Sequence, residues 1–304
     1  MNNKTLVTGA TGFLGRHLVK HLRSDNHTLF ISNTKTNPLD RIENLTHLKE
    51  KFDYIFHLAA VTKAGDYCLK YPGDQWISNQ RINTNILDYW KNHQPQAKII
   101  CMGTSCSYSP ELPMSEENYL KGEPDQGLYT YAMTKRMLLA GLQSIGKQYG
   151  LKWLYFIPST LYGPDFDLDD NHFIFDLIRN CHNAKNKDTS FTIWGDGNQR
   201  RELVYVTDAV STMLSLLKEE NQIFNIASGK DYSINEFAEK VCEIIGYDYN
   251  KLNRDLNKYV GVKEKLISVK KTEEVINKQG STAPRTSLED GLVTTINYFT
   301  NNIK

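Results

Sequence analysis

Tyr131 and Lys135 stand four residues apart in the run Tyr129-Thr130-Tyr131-Ala132-Met133-Thr134-Lys135. Positions i and i+4 share one face of a helix. An ammonium beside a phenol favours the phenolate, so the tyrosine pKa is expected to fall from its usual value of about 10 toward neutrality. A phenol tuned in this way is a general acid or base. Tyr and Lys are common residues, and the same spacing also describes a routine surface pair. Two more runs follow strand-like segments. Met102-Gly103-Thr104-Ser105-Cys106-Ser107-Tyr108 puts hydroxyls at a strand's end, where they can polarise a substrate oxygen; a plain serine-rich turn reads the same way. Pro158-Ser159-Thr160-Leu161-Tyr162-Gly163-Pro164 is the other run, and its alternative is a proline-bounded loop.

The elements that would position these residues are legible as an alternation. Thr5-Leu6-Val7 reads as a strand, Thr8-Gly9-Ala10-Thr11-Gly12-Phe13-Leu14-Gly15 as a turn, and Leu18, Val19 and Leu22 repeat at helical spacing. A strand, a glycine turn and a helix make a site for a dinucleotide pyrophosphate. Gly9 allows the turn, Gly12 lets backbone approach phosphate, and Gly15 lets helix pack on strand. The spacing is G-x-x-G-x-x-G, and a plain turn between buried elements is the alternative. Further strands are expected at Thr28–Ser32, Tyr54–Leu58, Lys98–Met102 and Lys152–Ile157, with helices over Gln75–Lys91 and Tyr129–Gln148. This alternation predicts an α/β fold, a parallel sheet covered by helices on both faces, with ligands beyond the carboxyl ends of its strands. After Gly163-Pro164 the pattern loosens into an acidic loop, Asp165 to Asp170. A helix is expected from about His172 to Cys181, then an exposed polar stretch from Asn183 to Thr189. The second half reads as a smaller lobe resting on the first.

Composition narrows the function classes. The chain has 304 residues, 40% apolar and 23% charged, with a net charge of +1. That balance fills a core and does not point to nucleic acid or an anionic membrane. No apolar run reaches the ~20 residues needed to span a bilayer. The first residues lead straight into a strand without a signal-like segment. The five cysteines show no metal-box spacing, so reduced thiols in a cytoplasm are expected and no metal is.

Taken in order, these pieces resemble the extended short-chain dehydrogenase/reductase family, the nucleotide-sugar epimerases and dehydratases. The resemblance runs along nearly the whole chain. It includes the glycine turn, His57-Leu58-Ala59-Ala60, Thr104, the Tyr131/Lys135 pair and Tyr162-Gly163-Pro164. It continues into Trp194-Gly195-Asp196-Gly197, Arg201-Glu202 and Tyr205-Val206-Thr207-Asp208. It implies a doubly wound (Rossmann) sheet over residues 1–165, with a return at about 200–228. Residues 166–304 would mainly form a nucleotide-sugar-binding lobe. The cofactor contacts it implies are Gly9, Thr11, Gly12, Phe13, Leu14, Gly15, Arg16, Ser32, Asn33, Leu58, Ala59, Ala60, Asn79, Pro158 and Thr160, with Tyr131 and Lys135. A homodimer is implied as well.

Within the family, the Gly103–Tyr108 run, Pro113-Met114, Tyr71-Pro72-Gly73-Asp74 and Asn171-His172 are similar to one branch. That branch epimerises two carbons of GDP-4-keto-6-deoxy-mannose and reduces carbon 4. The similarity implies that Thr104 binds the sugar oxygen, with Ser105 and Thr160 beside it. Tyr131 moves the oxygen's proton, and Lys135 tunes Tyr131 and holds the ribose. Cys106 and His172 form the epimerising acid/base pair; both types exchange protons near neutral pH. Packing for Cys106, and a bond to a sugar hydroxyl for His172, are the alternatives. Arginine forks suit a diphosphate, so Arg201, Arg179 and the Trp194-Gly195 turn are the expected GDP contacts. Arg201 can instead be a partner for Glu202 or Asp208. The glycine turn and the stretch after Ala60 depart from that branch, and the chain is short for it. The GDP-sugar class is therefore firmer than any one sugar.

The second strand-like segment ends Ser32-Asn33-Thr34-Lys35, without the acid that usually holds an NAD ribose. With Arg16 nearby, this favours NADP over NAD. The alternative is that Ser32 or Asn33 bonds the free hydroxyls of NAD. A GDP-sugar 4-dehydrogenase or 4-epimerase of GDP-mannose or GDP-heptose type, retaining NAD, would use the same residues. A non-catalytic cofactor sensor is the remote alternative. Ser105 and Cys106 stand where the dehydratases of the family carry an acid pair, so dehydration is not expected.

Overall fold

The computed structural model describes residues 3–25, 27–32, 39–62, 67–258 and 260–303. In chain order its strands are β1 (Lys4–Thr8), β2 (Thr28–Ser32), β3 (Tyr54–His57), β4 (Lys98–Met102), β5 (Trp153–Pro158), β6 (Thr160–Tyr162), β7 (Thr192–Trp194), β8 (Arg200–Tyr205), β9 (Gln222–Ile226), β10 (Asp231–Ser233) and β11 (Asn253–Asp255). The helices are α1 (Phe13–Ser24), α2 (Glu43–Thr46), α3 (Tyr67–Lys70), α4 (Pro72–His93), α5 (Tyr129–Tyr149), α6 (Phe173–Lys187), α7 (Val206–Ser215), α8 (Ile234–Ile245), α9 (Lys270–Lys278) and α10 (Leu288–Asn302).

Six parallel strands form the central sheet in the order β2-β1-β3-β4-β5-β9. All five residues of β4, Lys98 to Met102, are buried, as befits a strand covered on both faces. Alternate strand residues serve opposite cores. Leu6, Ile55, Ile99 and Tyr155 pack with Ile86 and Trp90 of α4 and Leu138 and Leu142 of α5. Val7, Phe56, Ile100 and Phe156 pack with Leu18 and Leu22 of α1 and Val210 and Met213 of α7. The sheet is therefore doubly wound. Its strand order reverses at β1, flanked by β2 and β3, the place where such sheets hold ligands.

A third core is built almost wholly from later residues: Ile174, Phe175 and Ile178 of α6, Phe237 and Val241 of α8, and Leu292 and Phe299 of α10. After β5 the chain breaks at Ser159. β6 then pairs with β8, and β10 completes a small second sheet. Helix α6 runs past the expected end at Cys181 to Lys187. The polar stretch from Asn183 is the solvent face of an amphipathic helix whose buried stripe, Ile174-Leu177-Ile178-Cys181, continues to Ala184. Among the described residues no helix is long and apolar enough to cross a membrane.

Candidate active site

The glycine turn is built for close approach. Gly9 has φ +69°, and a Cβ there would lie 2.6 Å from the Ala59 amide nitrogen; a Cβ on Gly15 would lie 2.2 Å from the Gly9 oxygen. Both glycines serve protein packing. Gly12 differs: a Cβ there would meet nothing nearer than the Gly9 oxygen at 3.4 Å, and the residue is exposed. Gly12 is also the N-cap of α1, which has no side-chain cap and no acid in its first turn. The helix's free amides and positive dipole end therefore face open space beside Leu58, Ala59 and Ala60, which are half-exposed. These features fit a dinucleotide pyrophosphate. Behind them, buried His57 accepts from the Thr8 hydroxyl through Nδ1 (2.9 Å) and donates from Nε2 to Asn83 (3.2 Å). Burial pushes this imidazole down to about 3, so it is a neutral strut.

Beyond the ends of β4 and β5, Thr104 caps a short 3₁₀ turn over Ser105–Ser107. That turn is pinned to α5. The Ser107 hydroxyl donates to the Ala132 carbonyl (3.0 Å), and Arg136 donates to the Ser107, Lys121 and Gly122 carbonyls. A tyrosine relay fixes the other side. The Thr104 amide donates to the Tyr119 hydroxyl (3.3 Å), which lies 3.1 Å from that of Tyr155, and Tyr155 donates to the Lys135 carbonyl (2.8 Å). Because the Tyr155 proton goes to Lys135, Tyr119 is the donor between them. Gly103 makes room: a Cβ there would sit 2.8 Å from the Tyr119 oxygen. Thr104 is thus held in register with Tyr131 and Lys135.

The expected fall in the Tyr131 pKa is not found. Desolvation, reinforced by the negative charge of Cys106, raises the phenol well above its ordinary value, and the Thr104 hydrogen bond only partly offsets this. Lys135 is buried and donates to the Met102 carbonyl (2.9 Å), with its ammonium 6.0 Å from the Tyr131 ring centre. Burial pushes Lys135 itself down to about 8. Four-residue spacing placed the pair on one face but could not report what water loss does to either group.

Cys106 and His172 influence each other electrostatically, and each has its own partner. Lys265 donates to the Cys106 sulfur at 3.3 Å. Burial works against the thiolate, but the Lys265 charge, hydrogen bonds from Thr104 and Lys265, and the His172 charge outweigh it, and the thiol is held below its ordinary value. His172, the N-cap residue of α6, bonds through Nδ1 to Asp170 (2.6 Å). Burial disfavours the imidazolium, yet Asp170, helped by the charges of Cys106 and Asp176, raises the His172 pKa. Cys106, Tyr108, Trp194, Arg201, Val260 and Lys265 help line a cleft of about 250 Å³.

Several of the expected contact residues also make contacts within the protein. Arg16 donates to the Thr11 and Asp165 carbonyls and pairs with Asp167 (3.1 Å), so it ties the turn to the acidic loop. The Phe13 ring packs edge-on against Phe175 of α6 (5.8 Å). Asn79 is buried and grips the Val61 backbone through both its oxygen (2.8 Å) and its amide (3.2 Å), a brace for the loop after Ala60. Arg179 donates to the Leu168 and Asp170 carbonyls and pairs with Asp176, which steadies the loop that orients His172. Arg201 binds neither Glu202 nor Asp208 but the Arg200, Val260 and Val262 carbonyls. Trp194 is 45% exposed, with the Lys258 ammonium 5.4 Å from its ring centre. Ser32 and Ser105 are buried, and Leu14, Pro158 and Thr160 are half-buried. Asn33 and Lys35 lie outside the described residues. Sequence reasoning missed Lys265, Tyr119, Tyr155 and Asp170; only Asp170 carried a local signal, two residues before His172.

The chain is similar to known proteins in sequence and in fold. The profile of the NAD dependent epimerase/dehydratase family matches residues 5–227. A GDP-L-fucose synthase of Sinorhizobium fredii (strain NBRC 101917 / NGR234) is 30% identical over 308 residues, covering 98% of this chain and 95% of that protein. A GDP-6-OMe-4-keto-L-xylo-heptose reductase from C. jejuni superposes with a TM-score of 0.86 at 21% identity, covering 99% of each chain. A GDP-L-fucose synthetase from Naegleria fowleri bound to NADP gives 0.85 at 23% identity, covering 99% of this chain and 93% of that one.

Proposed function

The chain belongs to the NAD-dependent epimerase/dehydratase family, and from that premise we propose that it epimerises a GDP-4-keto-sugar and reduces its carbon 4 with NADPH. It is an NAD(P)-dependent oxidoreductase/epimerase. The observation that carries the finer reading is the meeting of two proton-handling pairs. Cys106 acts electrostatically on both Tyr131 and His172, and Thr104 hydrogen-bonds beside them. The reading takes one small substrate to meet all of these groups.

The proton chemistry follows from the charges. Cys106 is held toward thiolate and His172 toward imidazolium, so Cys106 is the base and His172 the acid. The Cys106 thiolate takes a proton from a carbon next to the carbonyl; an S–H bond forms and the C–H electron pair moves into an enolate. His172 returns a proton to the opposite face, which inverts that carbon. Thr104 and Tyr131 hold the carbon-4 oxygen. The phenol is kept protonated by desolvation, so Tyr131 is poised to donate its proton as the carbonyl becomes a hydroxyl. A nicotinamide held at the glycine turn would supply the hydride.

Residues 1–165, with the return at about 200–228, would hold the cofactor, through the open α1 N-terminus, Gly12, Ala59 and Ala60. Residues 166–304 would mainly hold the nucleotide, with Trp194 and Lys265 in the cleft and Arg201 and Arg179 as braces. The preference for NADP rests on the missing acid at the end of β2 and on the NADP-bound Naegleria enzyme. A cytoplasmic homodimer belongs to this proposal, and the exposed Trp76 and Ile77 of α4 and Met137 of α5, on two helices that pack side by side, support the dimer.

The test is turnover of GDP-4-keto-6-deoxy-mannose with NADPH, followed as loss of NADPH and gain of a carbon-4 hydroxyl. A UDP-linked 4-keto-sugar serves as control and should react far more slowly. Copurified NAD, with oxidation of GDP-mannose or a GDP-heptose and no reduction of the keto-sugar, would replace this assignment with the dehydrogenase or epimerase one.

A further inference from the structure

Three consecutive residues of β8 grip one segment that has no regular secondary structure of its own. The Arg200 amide donates to the Lys263 carbonyl (2.8 Å). Arg201 donates to the Val262 (2.9 Å) and Val260 (2.5 Å) carbonyls. Glu202 is buried and accepts from the Ile267 amide (3.0 Å). One residue on, the Ser268 amide donates to the Met114 carbonyl (3.0 Å), and Asn225 donates to the Ser268 carbonyl (2.9 Å). Residues 260–268 are therefore pinned at both ends. The side chain delivered from the middle of the span is Lys265, whose ammonium rests on the Cys106 sulfur.

We propose that Lys265 is a positioning residue for the epimerising step, a counter-cation that the β8 clamp holds against Cys106 to keep it a thiolate before substrate arrives. The inference rests on the assignment of Cys106 as the base. His172, Tyr131 and Cys68 also act on Cys106, and Arg201 and Asp125 line the same cleft, Arg201 with its guanidinium spent on the Arg200, Val260 and Val262 carbonyls. Tyr131 and Cys68 become negative when they ionise, so they oppose a thiolate. His172 is positive only while protonated and already shares its charge with Asp170. Lys265 is the cation in direct contact. A half-buried thiol without such a cation would stay protonated near neutral pH, because loss of water disfavours the anion.

The experiment is the pH dependence of Cys106 alkylation by iodoacetamide, read on the Cys106 peptide by mass spectrometry in the full-length, ligand-free enzyme. Wild type should show a midpoint below the ordinary thiol value of about 8.5. Lys265→Gln should raise that midpoint by about one pH unit, which makes alkylation about tenfold slower at neutral pH; Lys265→Arg should keep the low midpoint. A Lys265→Gln profile that superposes on wild type overturns the proposal. If Lys265→Gln fails to fold, the wild-type midpoint still decides: an ordinary or higher value overturns it. Alkylation needs neither cofactor nor GDP-sugar. An active keto-sugar reductase with an unshifted Lys265→Gln profile sinks only the role of Lys265. A shifted profile in a protein that turns over no GDP-sugar sinks only the assigned reaction.

Discussion

Tyr131 and His172 carry opposite lessons about proton transfer. Tyr131 is held protonated by loss of water, so replacing it removes the acid without disturbing a charge network. Tyr131→Phe is expected to slow carbon-4 reduction by roughly two to four orders of magnitude while NADPH still binds. Single-turnover kinetics beside a cofactor titration checks both halves. His172 owes its raised pKa chiefly to Asp170, against the pull of burial. As the acid, it works below its pKa and fails as pH rises through it. Asp170→Asn removes the raising charge, so the alkaline limb of the pH–rate profile should move to lower pH, with the acidic limb, set by Cys106, nearly fixed. An unmoved alkaline limb would remove His172 from the acid role. At this scale residue type and spacing pointed to Tyr131, Lys135 and Thr104, and the family resemblance pointed to Cys106 and His172. They could not find Lys265, which lies 159 positions from Cys106 and meets it only through the fold. Nor could they foresee that desolvation would raise the phenol.

Among the elements, the strand–turn–helix of the glycine turn separates two jobs that one G-x-x-G-x-x-G run does not tell apart in sequence. A methyl on Gly15 collides with the Gly9 carbonyl at 2.2 Å and with the Ala10 Cα at 2.8 Å, so α1 must back away from β1. Gly15→Ala is expected to destabilise the fold by about 1–3 kcal/mol, as overpacking does. A methyl on Gly12 meets only ordinary contact but stands over the free amides of α1. Gly12→Ala should leave the melting temperature nearly unchanged and weaken cofactor binding. Thermal unfolding with and without NADPH distinguishes the two; equal losses of stability would contradict this division. The parallel sheet was legible because its strands are short apolar runs at regular intervals between helix-length stretches. The end of α6 was not, because only Ala184 marks the buried stripe in a run of polar residues. The β8 clamp was hidden for a similar reason: Arg201 and Glu202 look like partners for each other but reach for separate backbone groups of residues 260–267.

For the whole molecule, the cofactor turn and the later core are joined by Arg16 on the 165–167 loop and Phe13 on Phe175. The later core was legible only as a loosening of the alternation, since β6, β7, β10 and β11 have three residues each, too few to show a period. The exposed Ile77 and Met137 lie on α4 and α5, which pack side by side. If that face joins two copies, Ile77→Glu with Met137→Glu should convert a dimer to monomers in sedimentation velocity, and a wild-type monomer would refute the dimer. The central claim is that one sugar meets Cys106 and His172 at its flanking carbons and Tyr131 at carbon 4. It is tested most directly by running the reaction in deuterated water with unlabelled NADPH and GDP-4-keto-6-deoxy-mannose, then reading the product by NMR. The expected product carries deuterium at carbons 3 and 5, protium at carbon 4, and loses the deuterium in Cys106→Ser. A reduced product without deuterium at either flanking carbon would leave a plain carbon-4 oxidoreductase, and deuterium at carbon 4 would contradict hydride transfer from the cofactor.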